Sequence, residues 1–252
     1  MEATFLAPLV ILSISFVFPM LGMGGSQLYV PLLFWMGMDF KTEAIPLALL
    51  LNIVSSSSAA LTYGYRKLID WRTAFPFACA ALLLAPLGAR VNLALSPKTL
   101  IAAFAGFTAL ASAVMLAGWR PKTKVNSKRG KVVLGLGGGG VLGFVCGLIG
   151  RGGGSLVVPM LYQAGLDAKR AAATSVFIVV WSTLASFLSH ISFAARPNWS
   201  IWAPCLVAVL VGSQFGSRLM VAKLKSDAIR IAFGVVLAVI ACVLVVRDVI
   251  PK

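Results

Sequence analysis

The chain has 252 residues, of which 60% are hydrophobic and 12% are charged, and its mean hydropathy is +0.96. A soluble domain carries roughly 25% charged residues, so this composition excludes a soluble protein and predicts an integral membrane protein. The formal net charge of +15 does not indicate a nucleic-acid partner, because the basic residues lie between apolar segments, as those of cytoplasmic loops do.

The first apolar segment, residues 4–38, is longer than the roughly 20 residues that one membrane span needs. It is interrupted at residues 22–26 by the sequence GMGGS. Since each glycine costs about 1 kcal/mol in a helix interior relative to alanine, we expect the helix to break here. Irregular backbone at membrane depth is tolerated where it lines a cavity or is buried in protein, so the break is a candidate binding site.

The remaining apolar segments predict further membrane-spanning helices. They lie at residues 44–64, 73–95, 99–118, 132–166, 171–195, 200–222 and 228–247. A basic linker, residues 120–131 (RPKTKVNSKRGK), separates the first three from the last four. We therefore predict an all-α membrane protein with two transmembrane repeats, residues 1–119 and 132–252. Each repeat has a Gly-broken first helix, re-entrant or discontinuous, and three further transmembrane helices.

The two halves are homologous. Residues 22–41 (GMGGSQLYVPLLFWMGMDFK) and 150–169 (GRGGGSLVVPMLYQAGLDAK) are identical at 10 of 20 positions, with an offset of 128 residues and no gap. The same offset pairs Trp71 with Trp199. Repeats in an apolar chain, each with a glycine-interrupted hydrophobic segment, are typical of secondary transporters.

The first segment of each half either crosses the membrane once as a broken helix or folds back as a re-entrant hairpin. Single crossings distribute the Lys and Arg residues of the loops as 12 and 9 between the two sides, whereas hairpins distribute them as 15 and 6. We favour hairpins because a strong excess of basic residues marks the cytoplasmic side. Each half then crosses three times. The repeats are therefore inverted, both termini lie outside and the linker lies in the cytoplasm.

Each break precedes a new apolar run, so we expect a helix N-terminus just after the glycines. Such an N-terminus offers free N–H groups and about half a positive charge, and glycine lets an anion approach the backbone. Arg151, where the first half has Met23, adds a full charge, and a charge inside a membrane is usually functional. The alternative for Arg151 is a structural role, with its side chain extended to the membrane interface.

The candidate substrate-binding residues come from the two breaks and from polar positions of the spans that follow. They are Gly24, Gly25, Ser26, Gln27, Asn52, Arg151, Gly152, Gly153, Gly154, Ser155, Thr174 and Ser175. The alternative for the glycines is close helix packing, and for the polar side chains it is interhelical hydrogen bonding. Asp39 and Asp167 occupy matching positions at span ends, where we expect caps or charge pairs.

The sequence does not indicate an enzyme, a metal site or a cofactor. The four cysteines lie in apolar segments without a C-x-x-C pair, and the chain has one histidine. No H-E-x-x-H or G-x-S-x-G sequence is present. The expected partners are a small anionic substrate and the lipid bilayer, with no nucleic acid and no prediction of oligomeric state.

Three features together resemble the sulfite exporter TauE/SafE family. They are the duplicated G-x-G-G-x-x-x-x-V-P pattern, D-W-R at residues 70–72, and R-A-A-A-T-S at residues 170–175. The resemblance covers about residues 18–233. It implies a multi-pass transporter of the inner membrane that exports sulfite or a related sulfur-containing anion, and we expect alternating access as its mechanism. Two alternatives stay open: a carrier of small organic acids such as sulfoacetate, and an anion channel.

Overall fold

A computed structural model describes residues 2–118, 125, 127–150, 154–223 and 226–249, and all regular structure in these ranges is helical. The α-helices are α1 (Glu2–Val17), α2 (Ser26–Trp35), α3 (Ile45–Tyr65), α4 (Trp71–Ala94), α5 (Pro97–Leu116), α6 (Lys128–Ile149), α7 (Gly154–Gln163), α8 (Ala168–His190), α9 (Trp199–Lys223) and α10 (Ser226–Leu244). Short 3₁₀ segments are Phe18–Leu21 and Ile191–Phe193, and π-helical turns are Phe40–Ala44 and Val245–Val249.

Six helices of the described ranges are long and apolar enough to cross a membrane. They are α3 with its preceding π-helical turn, α4, α5, α6, α8 and α9. Shorter apolar segments, Ala7–Leu21 and Gly234–Arg247, lie in the first and last parts of the chain. The prediction of an all-α membrane protein is therefore confirmed at this level.

Both predicted helix breaks are present. The first apolar segment divides into α1, a 3₁₀ turn and α2, and the corresponding segment of the second half divides into α6 and α7. Gly22 and Gly150, which match in the repeat, follow the first helical part of each segment with φ of +75° and +63°. This left-handed conformation is typical of glycine after a helix C-terminus and is costly for other residues.

Helix α7 folds back along α6. The backbone N–H of Val125, which precedes α6, donates to the carbonyl of Gln163 at the end of α7 over 2.7 Å. Midway along both helices, a Cβ built on Gly138 would lie 2.8 Å from the sulfur of Met160. The end of α7 therefore lies beside the start of α6.

Helices α3 and α8, which correspond in the repeat, pack against each other and are the most buried of the long helices. Helix α4 packs against α6 and α8, while its counterpart α9 packs against α1 and α3. Matching residues of α4 and α9 also make equivalent contacts with the other half. A Cβ at Gly88 would overlap the backbone of Phe144, and a Cβ at the matching Gly216 would overlap the backbone of Phe16.

The glycines of α6 that are four residues apart pack against α4. A Cβ at Gly139, Gly143 or Gly147 would overlap the backbone of α4, and one at Gly135 would lie 2.7 Å from Pro76. These glycines therefore serve close helix packing.

The loops gather at two ends of the helix assembly. At one end, here called the linker end, Arg72, Lys131 and Arg170 line one cleft. At the other, here called the far end, the backbone N–H of Ala195, in the loop after α8, donates to the carbonyl of Thr42, before α3, over 2.9 Å. Each end thus joins loops of both halves.

Candidate functional site

The two helix breaks meet inside the protein. A Cβ on Gly154, the first residue of α7, would lie 2.6 Å from the Cα of Met23 and 2.9 Å from the carbonyl oxygen of Gly22. The start of α7 therefore contacts the backbone of the first break directly. A larger residue at position 154 would push the two breaks apart.

Side chains of neighbouring helices donate hydrogen bonds to backbone carbonyl groups of the first break that have no partner within a helix. The Ser175 hydroxyl of α8 donates to the carbonyl of Gly22 over 2.5 Å. The Tyr63 hydroxyl of α3 donates to the carbonyl of Pro19 over 2.9 Å. Ser175, a candidate substrate-binding residue, thus supports the break, as buried non-helical backbone in a membrane requires.

Asn52 of α3 lies directly against Gly24, where a Cβ would overlap its carboxamide. The Asn52 amide nitrogen donates to the hydroxyl of Thr183 on α8 over 2.9 Å. Gly24 therefore lets the break approach the polar end of Asn52. Thr183 joins this group although it is absent from the sequence-based candidates.

Helix α2 begins beside these groups. Its N-cap is Gly25, which offers no side chain to its first N–H groups, while the Gly25 carbonyl accepts from the N–H groups of Leu28 and Tyr29. Helix α2 has 10 residues and its N-terminal end is buried. The predicted helix N-terminus after the first break is thus present, with the dipole that favours an anion.

Several buried polar atoms near this N-terminus have no hydrogen-bond partner among the described residues. They are both carboxamide atoms of Gln27, the hydroxyls of Tyr29 and Ser55, and Oδ1 of Asn52. An unsatisfied buried polar group costs about 1–3 kcal/mol, so native structures keep few of them. Their concentration around one helix start is therefore a feature that a bound polar ligand would explain.

Tyr29 was missed by the sequence analysis, because a tyrosine within an apolar run matches an ordinary core position. Ser55 carried a usable signal, since it follows Asn52 by three residues and shares its helical face.

The candidate residues fall into three groups in the structure. Gly24, Gly25, Ser26, Gln27, Asn52, Gly154 and Ser175 lie at or beside the meeting point of the breaks. Thr174 is also buried, but its hydroxyl accepts from the backbone N–H of Asp70 over 3.0 Å, towards the linker end. Arg151, Gly152 and Gly153 lie outside the described residues, and of Ser155 only the backbone is described.

A basic cleft of about 720 Å³ opens at the linker end. Its charged residues are three cations, Arg72, Lys131 and Arg170, and two carboxylates, Asp70 and Asp167. From Arg170, one turn along α8 leads to Thr174, and the next residue, Ser175, contacts the first break. Helix α8 thus connects the cleft to the meeting point of the breaks.

A smaller cavity of about 230 Å³ lies at the far end. Its lining includes Met38 and Glu43 from the segment before α3, Arg196 from the loop between α8 and α9, and Trp202 from the start of α9. The helix breaks are therefore flanked by one polar cavity at each end of the helix assembly.

Similarity to known proteins extends over most of the chain. A probable membrane transporter protein, YunE of Bacillus subtilis (strain 168), is 27% identical over 256 residues, 90% of this chain and 91% of that protein. A probable membrane transporter protein of Methanocaldococcus jannaschii is 23% identical over 76% of this chain and 74% of its own length. The sulfite exporter TauE/SafE family protein 2 of Arabidopsis thaliana is 33% identical over 102 residues, which cover 39% of this chain and 22% of that protein.

No solved structure matches the fold of the chain. The sequence profile of the family described as sulfite exporter TauE/SafE matches residues 7–244, nearly the whole chain. With six helices able to span a bilayer and transporters as relatives, the protein is a multi-pass membrane transporter. The chain belongs to the sulfite exporter TauE/SafE family.

Proposed function

We propose that this protein exports sulfite or a related sulfur-containing anion by alternating access and that the anion binds where the two helix breaks meet. The observation that carries the proposal is the buried start of α2 at Gly25, with Gln27 and Asn52 beside it. A helix N-terminus with nearby unpaired polar side chains favours an anion over a cation or an apolar ligand.

The charge that binds the anion comes from Arg151 in this proposal. Arg151 belongs to the second break, whose following helix begins at Gly154 against the backbone of Met23. Asp70 and Asp167 line the cleft at the linker end, and Glu43 lines the cavity at the far end. In the sequence, the nearest carboxylate to Arg151 is Asp167, 16 positions away, and an arginine within a membrane segment is suited to a negatively charged substrate.

Alternating access requires that the anion site open to each side in turn, and we infer inverted repeats as its structural basis. Two features support this. The loop before α3 lies at the far end, whereas the loop before its counterpart α8 lies at the linker end. The loop before α4 lies at the linker end and the loop before α9 at the far end. These loop positions support the proposal that corresponding helices of the two halves run in opposite directions.

The basic cleft at the linker end would collect anions on the cytoplasmic side of the inner membrane. Three cations against two carboxylates give its walls an excess of positive charge, and such a cleft raises the local concentration of anions. Expelling one negative charge from a cell with a negative interior is favourable by about 2.3 kcal/mol per 100 mV. Export down this gradient needs no additional energy source or cofactor.

The test is anion flux in proteoliposomes of the purified protein under an imposed potential, with sulfite, sulfate, thiosulfate, sulfoacetate and chloride compared. We expect saturable sulfite flux that falls at least about tenfold in Arg151→Ala, since a hydrogen bond to a charged group contributes about 1.5–3 kcal/mol. The matched control is Arg90→Ala, which removes an exposed arginine of α4 and should leave the flux unchanged.

Each other outcome has a definite meaning. Flux of sulfoacetate alone would replace sulfite with an organic acid as the substrate. Flux that rises linearly with concentration would indicate a channel rather than a carrier. Unchanged flux in a folded Arg151→Ala protein would remove Arg151 from the site.

A further inference from the structure

We infer that Tyr29 and Ser55 are substrate-binding residues, which together with Gln27 and Asn52 form a hydrogen-bonding site selective for an oxyanion over a halide. This inference rests on the proposed function, because it specifies the anion class that the site accepts. It adds two residues of the first repeat that the sequence analysis did not select.

Four buried side chains near the start of α2 keep polar atoms without hydrogen-bond partners among the described residues. Gln27, Tyr29, Asn52 and Ser55 are all 0% exposed. Each has at least one side-chain polar atom that forms no hydrogen bond with the described parts of the protein. Tyr29 and Ser55 offer hydroxyl donors and Gln27 offers an amide donor, whereas the free atom of Asn52 is Oδ1, an acceptor for a protonated oxygen of the anion. Polar side chains without hydrogen-bond partners destabilise an apolar core, whereas they can bind a polar ligand.

These side chains lie close to the first helix break. The ring of Tyr29 lies directly against Gly25, where a Cβ would overlap it, and its hydroxyl lies near those of Ser15 and Ser55 without forming a hydrogen bond of standard geometry to either. Asn52 lies against the adjacent Gly24 in the same way. Two of the four groups, Asn52 and Tyr29, therefore lie directly against the glycines that precede α2, and Ser55 lies beside Tyr29. An anion bound at this helix N-terminus would be within reach of their side chains.

The internal repeat places aliphatic side chains at two of these positions. With the offset of 128 residues, Tyr29 corresponds to the buried Val157 and Asn52 corresponds to the partly buried Val180. The second half therefore packs the same two positions with aliphatic side chains. Because the shared fold does not require a hydroxyl or an amide there, the polar groups of the first half serve another purpose.

An oxyanion and a halide make different demands on such a site. Sulfite and its relatives present several acceptor oxygens in fixed directions, each of which takes a directed donor such as the Tyr29 hydroxyl or the Gln27 amide. A single chloride ion cannot accept hydrogen bonds from all of these donors in their fixed directions, so some of the donors stay unpaired. Sites with buried hydrogen-bonding groups discriminate strongly against ligands that leave these groups unpaired. The set would therefore supply selectivity, while Arg151 supplies attraction for any anion.

The experiment measures sulfite uptake and its inhibition by chloride for Tyr29→Phe and Ser55→Ala in proteoliposomes. We expect the sulfite KM to rise about tenfold in Tyr29→Phe and several-fold in Ser55→Ala, as loss of a hydrogen bond to a charged ligand predicts. We also expect chloride to compete more effectively in both variants. A purely structural role for either hydroxyl would not change the affinity for chloride relative to that for sulfite.

Two controls separate binding from packing. Tyr63→Phe removes an equally buried hydroxyl that already donates to Pro19, so it should lower thermal stability in detergent more than it changes KM. Ser182→Ala removes a buried hydroxyl that bonds to Val179 in its own helix and should leave KM unchanged.

Wild-type sulfite KM and chloride competition in Tyr29→Phe and Ser55→Ala would overturn this inference while leaving the proposed function intact. If Tyr29→Phe does not fold, Ser55→Ala alone decides. If the wild-type protein moves no oxyanion at all, the proposed function fails and this assignment fails with it.

Discussion

Asp39 shows how a single residue at a span end stabilises a helix start. Its carboxylate accepts from the backbone N–H groups of Lys41 (3.1 Å) and Thr42 (2.8 Å) and from the Thr42 hydroxyl (2.8 Å). The cap that the sequence predicts is therefore present. The ammonium of Lys41 instead binds carbonyls at the end of α4. Asp167, which matches Asp39 in the repeat, forms no such cap within the described ranges.

These bonds make the Asp39 cap dependent on pH. The pKa of Asp39 is lowered, chiefly because the backbone N–H of Thr42 donates to the ionised carboxylate. Stabilisation is therefore complete above the ordinary pKa of about 3.9 and is lost as pH falls through the lower folded-state pKa. We expect Asp39→Ala to reduce the free energy of unfolding by about 1 kcal/mol at pH 7, with a smaller difference near pH 3.

Melting curves in detergent at both pH values test this prediction, with Asp167→Ala as the control that lacks a side-chain cap. Equal losses of stability in the two variants at pH 7, or an equally large effect of Asp39→Ala near pH 3, would contradict the capping role.

Residue type alone predicted part of the candidate site. Glycine, asparagine and glutamine beside a helix break are unusual in a membrane span, and Gly24, Asn52 and Gln27 do lie together. Tyr29 has no such signal, because its polar atom becomes notable only when its surroundings are known. Thr183 is found only through its contact with Asn52, which joins residues 131 positions apart.

At the scale of helices, two glycine-rich segments adopt different structures. The glycines at residues 22–25 interrupt the helix, whereas Gly135–Gly140 lie within the continuous α6. The difference comes from the neighbours, because the backbone of α4 packs against Gly139 and Gly143 and stabilises the regular helix. Sequence predicted both breaks from their position between two apolar runs. It left packing and interruption as alternatives, because the packing partner belongs to another helix.

The close contact between α4 and α6 predicts a large effect from one substitution. A Cβ at Gly143 would overlap the backbone of Ala81, which no rotamer change can relieve. We expect Gly143→Leu to destabilise the protein by about 3 kcal/mol or more, at the upper end of overpacking effects. The measurement is the half-unfolding temperature in detergent together with the yield of monodisperse protein.

Gly137 provides the control on the same helix, because it is exposed and a Cβ there would meet nothing within 4 Å. Gly137→Leu should therefore be tolerated. A loss of stability in Gly137→Leu as large as that in Gly143→Leu would mean that helix flexibility, and not contact with α4, is the reason for glycine in α6.

At the scale of the whole molecule, the two halves are interleaved rather than side by side. Helix α4 packs on α6 and α8 of the other half, and α9 packs on α1 and α3. The repeat in the sequence predicted two equivalent halves, but it contains no information on which helices pack across them. That information depends on small residues at matched positions, such as Gly88 against Phe144 and Gly216 against Phe16.

The interleaved arrangement leads to a prediction about membrane topology. Met38 and Leu166 match in the repeat, yet one lines the cavity at the far end and the other the cleft at the linker end. Arg72 and Ser200 form a second matched pair of exposed residues, at the starts of α4 and α9. For inverted repeats, we expect single cysteines at Met38 and Ser200 to react with an impermeant maleimide from outside the cell. Cysteines at Leu166 and Arg72 should react only after the cytoplasmic side is exposed.

The labelling starts from a variant in which all four native cysteines are replaced, and flux of that variant checks that the fold persists. Matched positions labelled from the same side would mean parallel repeats and would remove the structural basis proposed for alternating access. Labelling of Leu166 and Arg72 from outside, with Met38 and Ser200 inside, would keep the inversion but reverse the orientation. The basic cleft would then face outwards, because its position at the linker end does not change, and export would lose the anion-collecting role assigned to that cleft.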